Sequence, residues 1–210
     1  MVTLSSPSTP SSVLIFALAA LGTLSLLRSL RAASSWVWRH FLRPGKTLTN
    51  YGTWAIVTGC TDGIGRAFSM ELATQGLNLV LISRSREKLE AMAAEITAKH
   101  RVEVQSFAMD FFMEAEEVLD SGMARLAEAV AGLDIGILVN NAGISYPYAR
   151  FFHEVDPELA RRMLRINVGA VVRMVQLVLP GMIKRKRGAI LNLGSGSASV
   201  LPSDPLYALY

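Results

Sequence analysis

Between Trp54 and Leu193 short apolar runs alternate with longer amphipathic stretches, and this rhythm restricts the chain to a narrow group of folds. WAIVT (Trp54–Thr58), NLVLIS (Asn78–Ser83), VEVQSFAMD (Val102–Asp110), IGILVN (Ile135–Asn140) and AILNL (Ala189–Leu193) read as strands, most of them too apolar to leave one face in water. Between them IGRAFSMELATQG (Ile64–Gly76) reads as a helix closed by glycine, and SREKLEAMAAEITAKH (Ser85–His100) as a helix capped by Ser85. Further helices are predicted over Ala115–Ala131 and from Pro157 towards Leu179. Strands covered on both faces and separated by helices predict an α/β domain over residues 53–210, built on a doubly wound parallel sheet.

The turn after the first strand reads TGCTDGIG, Thr58–Gly65. Glycine at 59 allows backbone angles barred to other residues, Gly63 lets an anion approach the main chain, and Gly65 permits close contact of helix and strand. The helix that follows directs unpaired N–H groups and its positive dipole end at that anion. A tight structural turn would need the same glycines, but the place between a strand and a helix favours a dinucleotide pyrophosphate. Gly59, Thr61, Asp62, Gly63, Ile64 and Gly65 are the candidate cofactor contacts of this turn. At the end of the second strand a carboxylate would hold a free ribose 2′-hydroxyl; this chain has SRSR, Ser83–Arg86. Arg84 is the candidate partner of the 2′-phosphate of NADPH, against the alternative that both arginines are solvated at a helix start.

Composition narrows the rest. A chain with 51% hydrophobic residues and a mean hydropathy of +0.34 can bury a sizeable core. Its net charge of +4 and pI near 9.5 come from basic residues scattered along the chain, which argues against a nucleic-acid partner. One cysteine, Cys60, makes no internal disulfide, and three dispersed histidines offer no metal-ligand spacing. Before residue 28 no side chain from Val2 onward is charged, and VLIFALAALGTLSLL lies within a predicted transmembrane anchor over 13–30, following a disordered lead over 1–12. A cleaved signal peptide would carry its positive charge first; here Arg28, Arg31, Arg39, Arg43 and Lys46 all follow, so the lipid bilayer is an expected partner and the domain after the linker 31–52 is expected on the cytosolic side. The run KRKR, Lys184–Arg187, is expected to solvate a helix end.

With TGCTDGIG, NNAG at Asn140–Gly143 and the asparagine of RINVGA at Asn167, the chain resembles the short-chain dehydrogenase/reductase family, and over FLRPGKTLTNYGTWAIVTGCTDGIGRA, NNAGISYPYARFFHEVD and GAILNLGSGSASVLPSDPLYALY its membrane-anchored very-long-chain 3-oxoacyl-CoA reductase branch. The resemblance implies a Rossmann-like fold, NADPH as cofactor, and reduction of a long-chain 3-oxoacyl-CoA to the 3-hydroxyacyl-CoA during fatty-acid elongation at the endoplasmic reticulum. It implies that Asp110 binds the adenine amine and that Asn140 and Asn141 brace the central sheet. Asn141, Ala142 and Gly143 are then placed near the adenine ribose, and Asn167 in a proton relay. Ser195, with Ser197 as the alternative register, is implied to hold the substrate carbonyl.

By the same resemblance Tyr210 is the catalytic tyrosine that opens a Y-x-x-x-K motif. The sequence stops at it, so the sheet is expected to be incomplete at its carboxyl side and the 210-residue chain to turn over little. Two other functions stay open: a 17-ketosteroid reductase, and a non-catalytic membrane subunit that pairs with a complete reductase or with other elongation enzymes; a homodimer partner is the other expected protein contact.

Overall fold

The computed structural model describes residues 10–112, 116–148 and 151–196. It divides into two compact units, Met1–Lys46 and Thr47–Tyr210.

The first unit is one long helix, α1 (Pro10–Val37), which widens into a π turn over Trp38–Leu42. Its span of 31 residues, Ser12–Leu42, is long and apolar enough to cross a membrane. Leu14, Ile15, Phe16, Leu18 and Leu21 are each at least 60% exposed, so nothing in this unit covers them. The helix does not stop at Leu30, where the predicted anchor ends, and Arg31–Leu42 of the predicted linker is helical. The reason is local: the stretch after Arg31 holds no glycine or proline before Pro44, and the Ser34 hydroxyl donates back to Leu30 O at 2.8 Å within the helix. Pro10–Ser12 already belong to the helix, with proline tolerated in its first turn; the rest of the predicted lead lies outside the described residues.

The second unit carries a five-stranded sheet, all parallel, in the order β3-β2-β1-β4-β5. The strands are β1 (Trp54–Thr58), β2 (Asn78–Ser83), β3 (Val104–Ala108), β4 (Ile135–Asn140) and β5 (Ala189–Asn192). The helices are α2 (Gly63–Thr74), α3 (Arg86–Lys99), α4 (Glu116–Val130), α5 (Pro157–Leu164) and α6 (Ala170–Arg185). Alternation along β1 explains the layering: Ile56 faces one core with Ile82, Leu126, Leu138, Met174 and Val178, while Ala55 and Val57 face the other with Leu72, Leu89, Met92 and Ile96. The first core lies under α4 and α6, the second under α2 and α3.

Local chemistry sets the boundaries. Ser85 caps α3, its hydroxyl accepting the Lys88 N–H, as the sequence predicts. The end of the predicted linker, Leu48–Gly52, packs on the sheet domain: Leu48 and Tyr51 lie against the second core, and Gly52 and Gly136 touch backbone to backbone, leaving no room for a Cβ at either. KRKR stands at the end of α6 as expected, with Lys184, Lys186 and Arg187 exposed, but its arginines also make fixed contacts. Arg185 Nη2 donates to Ile135 O at 2.7 Å and its Nε lies 2.9 Å from Asp134, while Arg187 donates to the same carboxylate at 2.8 Å. These arginines fasten the end of α6 to the start of β4 because Asp134, half-buried there, needs cationic partners. Lys186, left-handed at φ 55°, ends the helix.

Candidate functional site

The sheet order places a topological switch between β1 and β4: the chain leaves β1 towards β2 on one side and returns through β4 on the other. In open α/β sheets ligands lie outside the carboxyl ends of the strands at such a point. The loops after β1, β2, β3, β4 and β5 there carry Gly59–Gly65, Arg84, Asp110, Asn141–Gly143 and Ser195. Sequence positions more than a hundred residues apart thus share one rim.

Thr58 ties the switch together. Its hydroxyl accepts the N–H groups of Asn141 and Ala142, both at 3.0 Å, and donates to Val139 O at 3.4 Å. The Asn141 amide answers by donating to Thr58 O at 3.1 Å and Gly59 O at 2.9 Å. Asn140, one residue earlier, reaches the other way and donates to Asn192 Oδ1 at 2.8 Å, bracing β4 against β5. These bonds fix the loop after β4 onto the glycine turn with no mobile side chain between them.

The glycines fit the same geometry. Gly59 sits at φ +63°, and a Cβ on Gly65 would overlap Gly59 O and Asn141 Nδ2, so helix α2 can meet the turn only through glycine. Gly63, at φ +49°, has open space where a Cβ would stand. Asp62 caps α2, its Oδ1 accepting the Gly63 N–H at 2.7 Å. The amide predicted for a pyrophosphate is therefore held by the chain's own carboxylate. Thr61 pairs with the Ser83 hydroxyl at 3.0 Å, joining the turn to the end of β2.

Two concavities flank this knot. One of about 240 Å³ is lined by Asp62, Arg84, Asp110, Phe111 and Gly143 among others, a mix of aromatic wall and charge suited to a base and its ribose. Asp110 has one oxygen committed to the Phe112 N–H at 2.9 Å, which holds its carboxylate at the rim. Arg84 is exposed. The other, about 560 Å³, is lined by Ile64, Asn141, Ile144, Leu164, Val168 and Ser195 among others. Its Leu164 and Val168 supply an apolar floor that the sequence motifs do not mark.

Asn167 stands between the two helices α5 and α6, in a π turn over Arg165–Gly169. The sequence predicts a single helix from Pro157, and the structure has one running to Arg185, with this π turn as a local widening inside it. Its Oδ1 accepts the Ile144 N–H and its Nδ2 donates to Ile144 O, both at 2.9 Å. The side chain is thereby spent on positioning the loop after β4. Ser197 and Tyr210 lie outside the described residues. Sequence reasoning missed Thr58 and Ile144, although a hydroxyl closing a strand directly before glycine was a readable sign of the first.

Burial pushes the Cys60 thiol up to about 12 from 9.0, against the small opposing effect of backbone hydrogen bonds. With no exposed surface, it is a core residue rather than a nucleophile.

Residues 53–208 match the model of the short chain dehydrogenase family. The chain belongs to the short-chain dehydrogenase family. It is 43% identical over 192 residues to a very-long-chain 3-oxoacyl-CoA reductase-like protein of Arabidopsis thaliana, covering 90% of this chain and 60% of that protein. To the very-long-chain 3-oxoacyl-CoA reductase of Homo sapiens it is 48% identical over 162 residues, 76% of this chain and 49% of the human one. The chain thus spans roughly half to three fifths of the length of these relatives. Among solved structures, a short-chain dehydrogenase from Sphingobium yanoikuyae in complex with NADPH superposes with a TM-score of 0.65 at 27% identity, over 75% of this chain and 58% of that one.

Proposed function

We propose that this chain is the anchored cofactor-binding part of an NADPH-dependent very-long-chain 3-oxoacyl-CoA reductase, held in the endoplasmic reticulum membrane by α1 with its sheet domain on the cytosolic side. The reading is carried by one observation: the Thr58–Asn141–Ala142 knot at the switch of the sheet brings the glycine turn, Arg84 and Asp110 to one rim. The 48% identity to the human reductase supports the substrate class.

The residues fit NADPH. Gly63 leaves space for a pyrophosphate, the smaller concavity offers an aromatic wall and Asp110 for adenine, and Arg84 offers a guanidinium for a 2′-phosphate. Bound there, NADPH supplies the hydride for the 3-keto carbon. Tyr210 donates the proton to the ketone oxygen, and Ser195 hydrogen-bonds that oxygen. Asn167 acts through the loop it holds. The apolar Leu164 and Val168 receive the acyl chain beside Ser195.

Titration of the detergent-solubilised full chain with NADPH, followed by nucleotide fluorescence, tests the cofactor; absence of saturable binding would overturn it. Oxidation of NADPH by the native protein, with a long-chain 3-oxoacyl-CoA set against a 17-ketosteroid, tests the substrate. Faster turnover of the steroid would replace the acyl-CoA reading.

A further inference from the structure

The first unit is more than an apolar rod. No aspartate or glutamate precedes Asp62, so Arg28, Arg31, Arg39, Arg43 and Lys46 have no acidic residue within their own unit. Three of these cations are ordered by the helix. At about 100° per residue, Arg28, Arg31 and Arg39 fall within an arc of about 80°, with Ser35 inside it. The Arg39 Nε donates to Ser35 O at 3.1 Å, which confirms that its side chain lies back along that face.

Between Arg31 and Arg39 the surface is concave. Arg31, Ser34, Ser35, Val37, Trp38 and Leu42 line this shallow notch, which is polar at one wall and apolar at the other. The helix widens into its π turn at Trp38, and the apolar wall is made by Trp38 and Leu42, 56% and 62% exposed. Around the turn, Trp36 packs on His40 and Phe41 at ring-centroid distances of 4.9 and 5.4 Å. Exposed indoles at the end of an apolar helix belong at the level of lipid headgroups. Arg31 and Arg39, two helical turns and about 12 Å apart along the axis, therefore bracket that level.

We infer that this notch is a binding site for an anionic glycerophospholipid, its phosphate held by the Arg31 guanidinium with the charge of Arg39 beside it and an acyl chain laid along Val37, Trp38 and Leu42. Guanidinium forks match phosphate oxygens, and two cations without an acid in their unit favour a headgroup of net negative charge over a zwitterionic one. The apolar wall selects a lipid over a free phosphate. Arg28 and Arg39, on the same face as Arg31, add to the field without lining the notch. The inference rests on the reading of α1 as a membrane anchor.

The test uses the full chain in vesicles of phosphatidylcholine containing a minor share of phosphatidylserine. Alkaline extraction comes first: release of the chain would sink the anchor reading and this inference with it. For chain that stays embedded, mild detergent extraction is followed by mass spectrometry of the retained lipid. The expected result is enrichment of phosphatidylserine over its bulk share by roughly fivefold, about what one added cation near a surface contributes. Enrichment should return to the bulk ratio in the Arg31→Gln, Arg39→Gln double variant and persist in Lys184→Gln, Lys186→Gln, whose cations lie in the other unit. No enrichment in the embedded wild-type chain would overturn the proposal, as would equal enrichment in the arginine variant. Removal of the bound lipid by excess inorganic phosphate would show a site for free anions and overturn it as well.

Discussion

Asn167 holds Ile144 by both polar edges of its backbone, accepting the N–H and donating to the C=O at 2.9 Å each. A side-chain amide presents a donor and an acceptor side by side without charge, and it joins the π turn between α5 and α6 to the loop after β4. Asn167→Ala leaves two half-buried backbone groups without partners. It should destabilise the domain by about 1–3 kcal/mol, and Asn167→Asp, which keeps the acceptor but sets a charge against Ile144 O, should do no better. Thermal unfolding of the two variants in detergent decides it; a wild-type midpoint in both would refute the bracing role.

The two glycines of the turn should behave differently. Gly65→Ala drives a methyl into Gly59 O and Asn141 Nδ2, backbone and a fixed amide that cannot retreat, and should cost at least about 3 kcal/mol. Gly63→Ala meets open space and pays only for its left-handed backbone, about 1–2 kcal/mol. Denaturant titration of both checks the order, which a clash-free Gly65→Ala would reverse.

Asp62 occupies the Gly63 N–H with a negative charge on the rim intended for an anionic cofactor. Asp62→Asn keeps an acceptor for that N–H and removes the charge. NADPH should bind about two- to fivefold more tightly, the scale of one charge at a helix N-terminus. Arg84→Ala should lower the preference for NADPH over NADH by roughly tenfold or more, as loss of a charge-assisted bond requires. Parallel titrations with both nucleotides measure each effect.

Asp134 collects Arg185, Arg187 and the Thr53 N–H at one corner. Asp134→Ala should destabilise the sheet domain by about 1–3 kcal/mol, because the partly buried Arg185 is left without its counter-charge. A double-mutant cycle with Arg187→Ala should show positive coupling, smaller than for Arg185 since Arg187 is the more exposed of the two.

Cys60 gives a prediction in pH. Its pKa is raised in the fold from 9.0 to about 12, so the folded state keeps a proton that the unfolded chain releases. Stability from this group is complete below about pH 9 and is lost as pH rises through the interval to about 12. Alkylation at pH 8 should proceed only at the rate of opening of the domain; rapid labelling of the folded protein would contradict its burial.

The strands were legible because covered strands must be apolar on both faces, and WAIVT, NLVLIS and IGILVN fall where the sequence predicts them. The cap at Ser85 was legible for the equally local reason that a hydroxyl can reach a nearby N–H. What could not be read depended on contacts distant along the chain. Thr58 meets Asn141 across 83 residues and Asn167 meets Ile144 across 23, and neither partner marks the other in sequence. KRKR reads as a solvated run, but charge alone does not reveal that Asp134 waits at the facing strand end. The length of α1 was underestimated because arginines suggest an end to a membrane span but do not end a helix.

The position of β1 at the middle of the sheet has a cost during synthesis. Its register with β4 begins at Trp54↔Ile135, so the ribosome must add some eighty residues before the central strand finds its second neighbour. At 5–20 residues per second that interval lasts roughly 4–16 s, with α1 already emerged and one edge of the nascent strand still open. Emergence of the amino-terminal helix therefore precedes closure of the sheet, and the half-built domain waits with one side of its central strand unpaired.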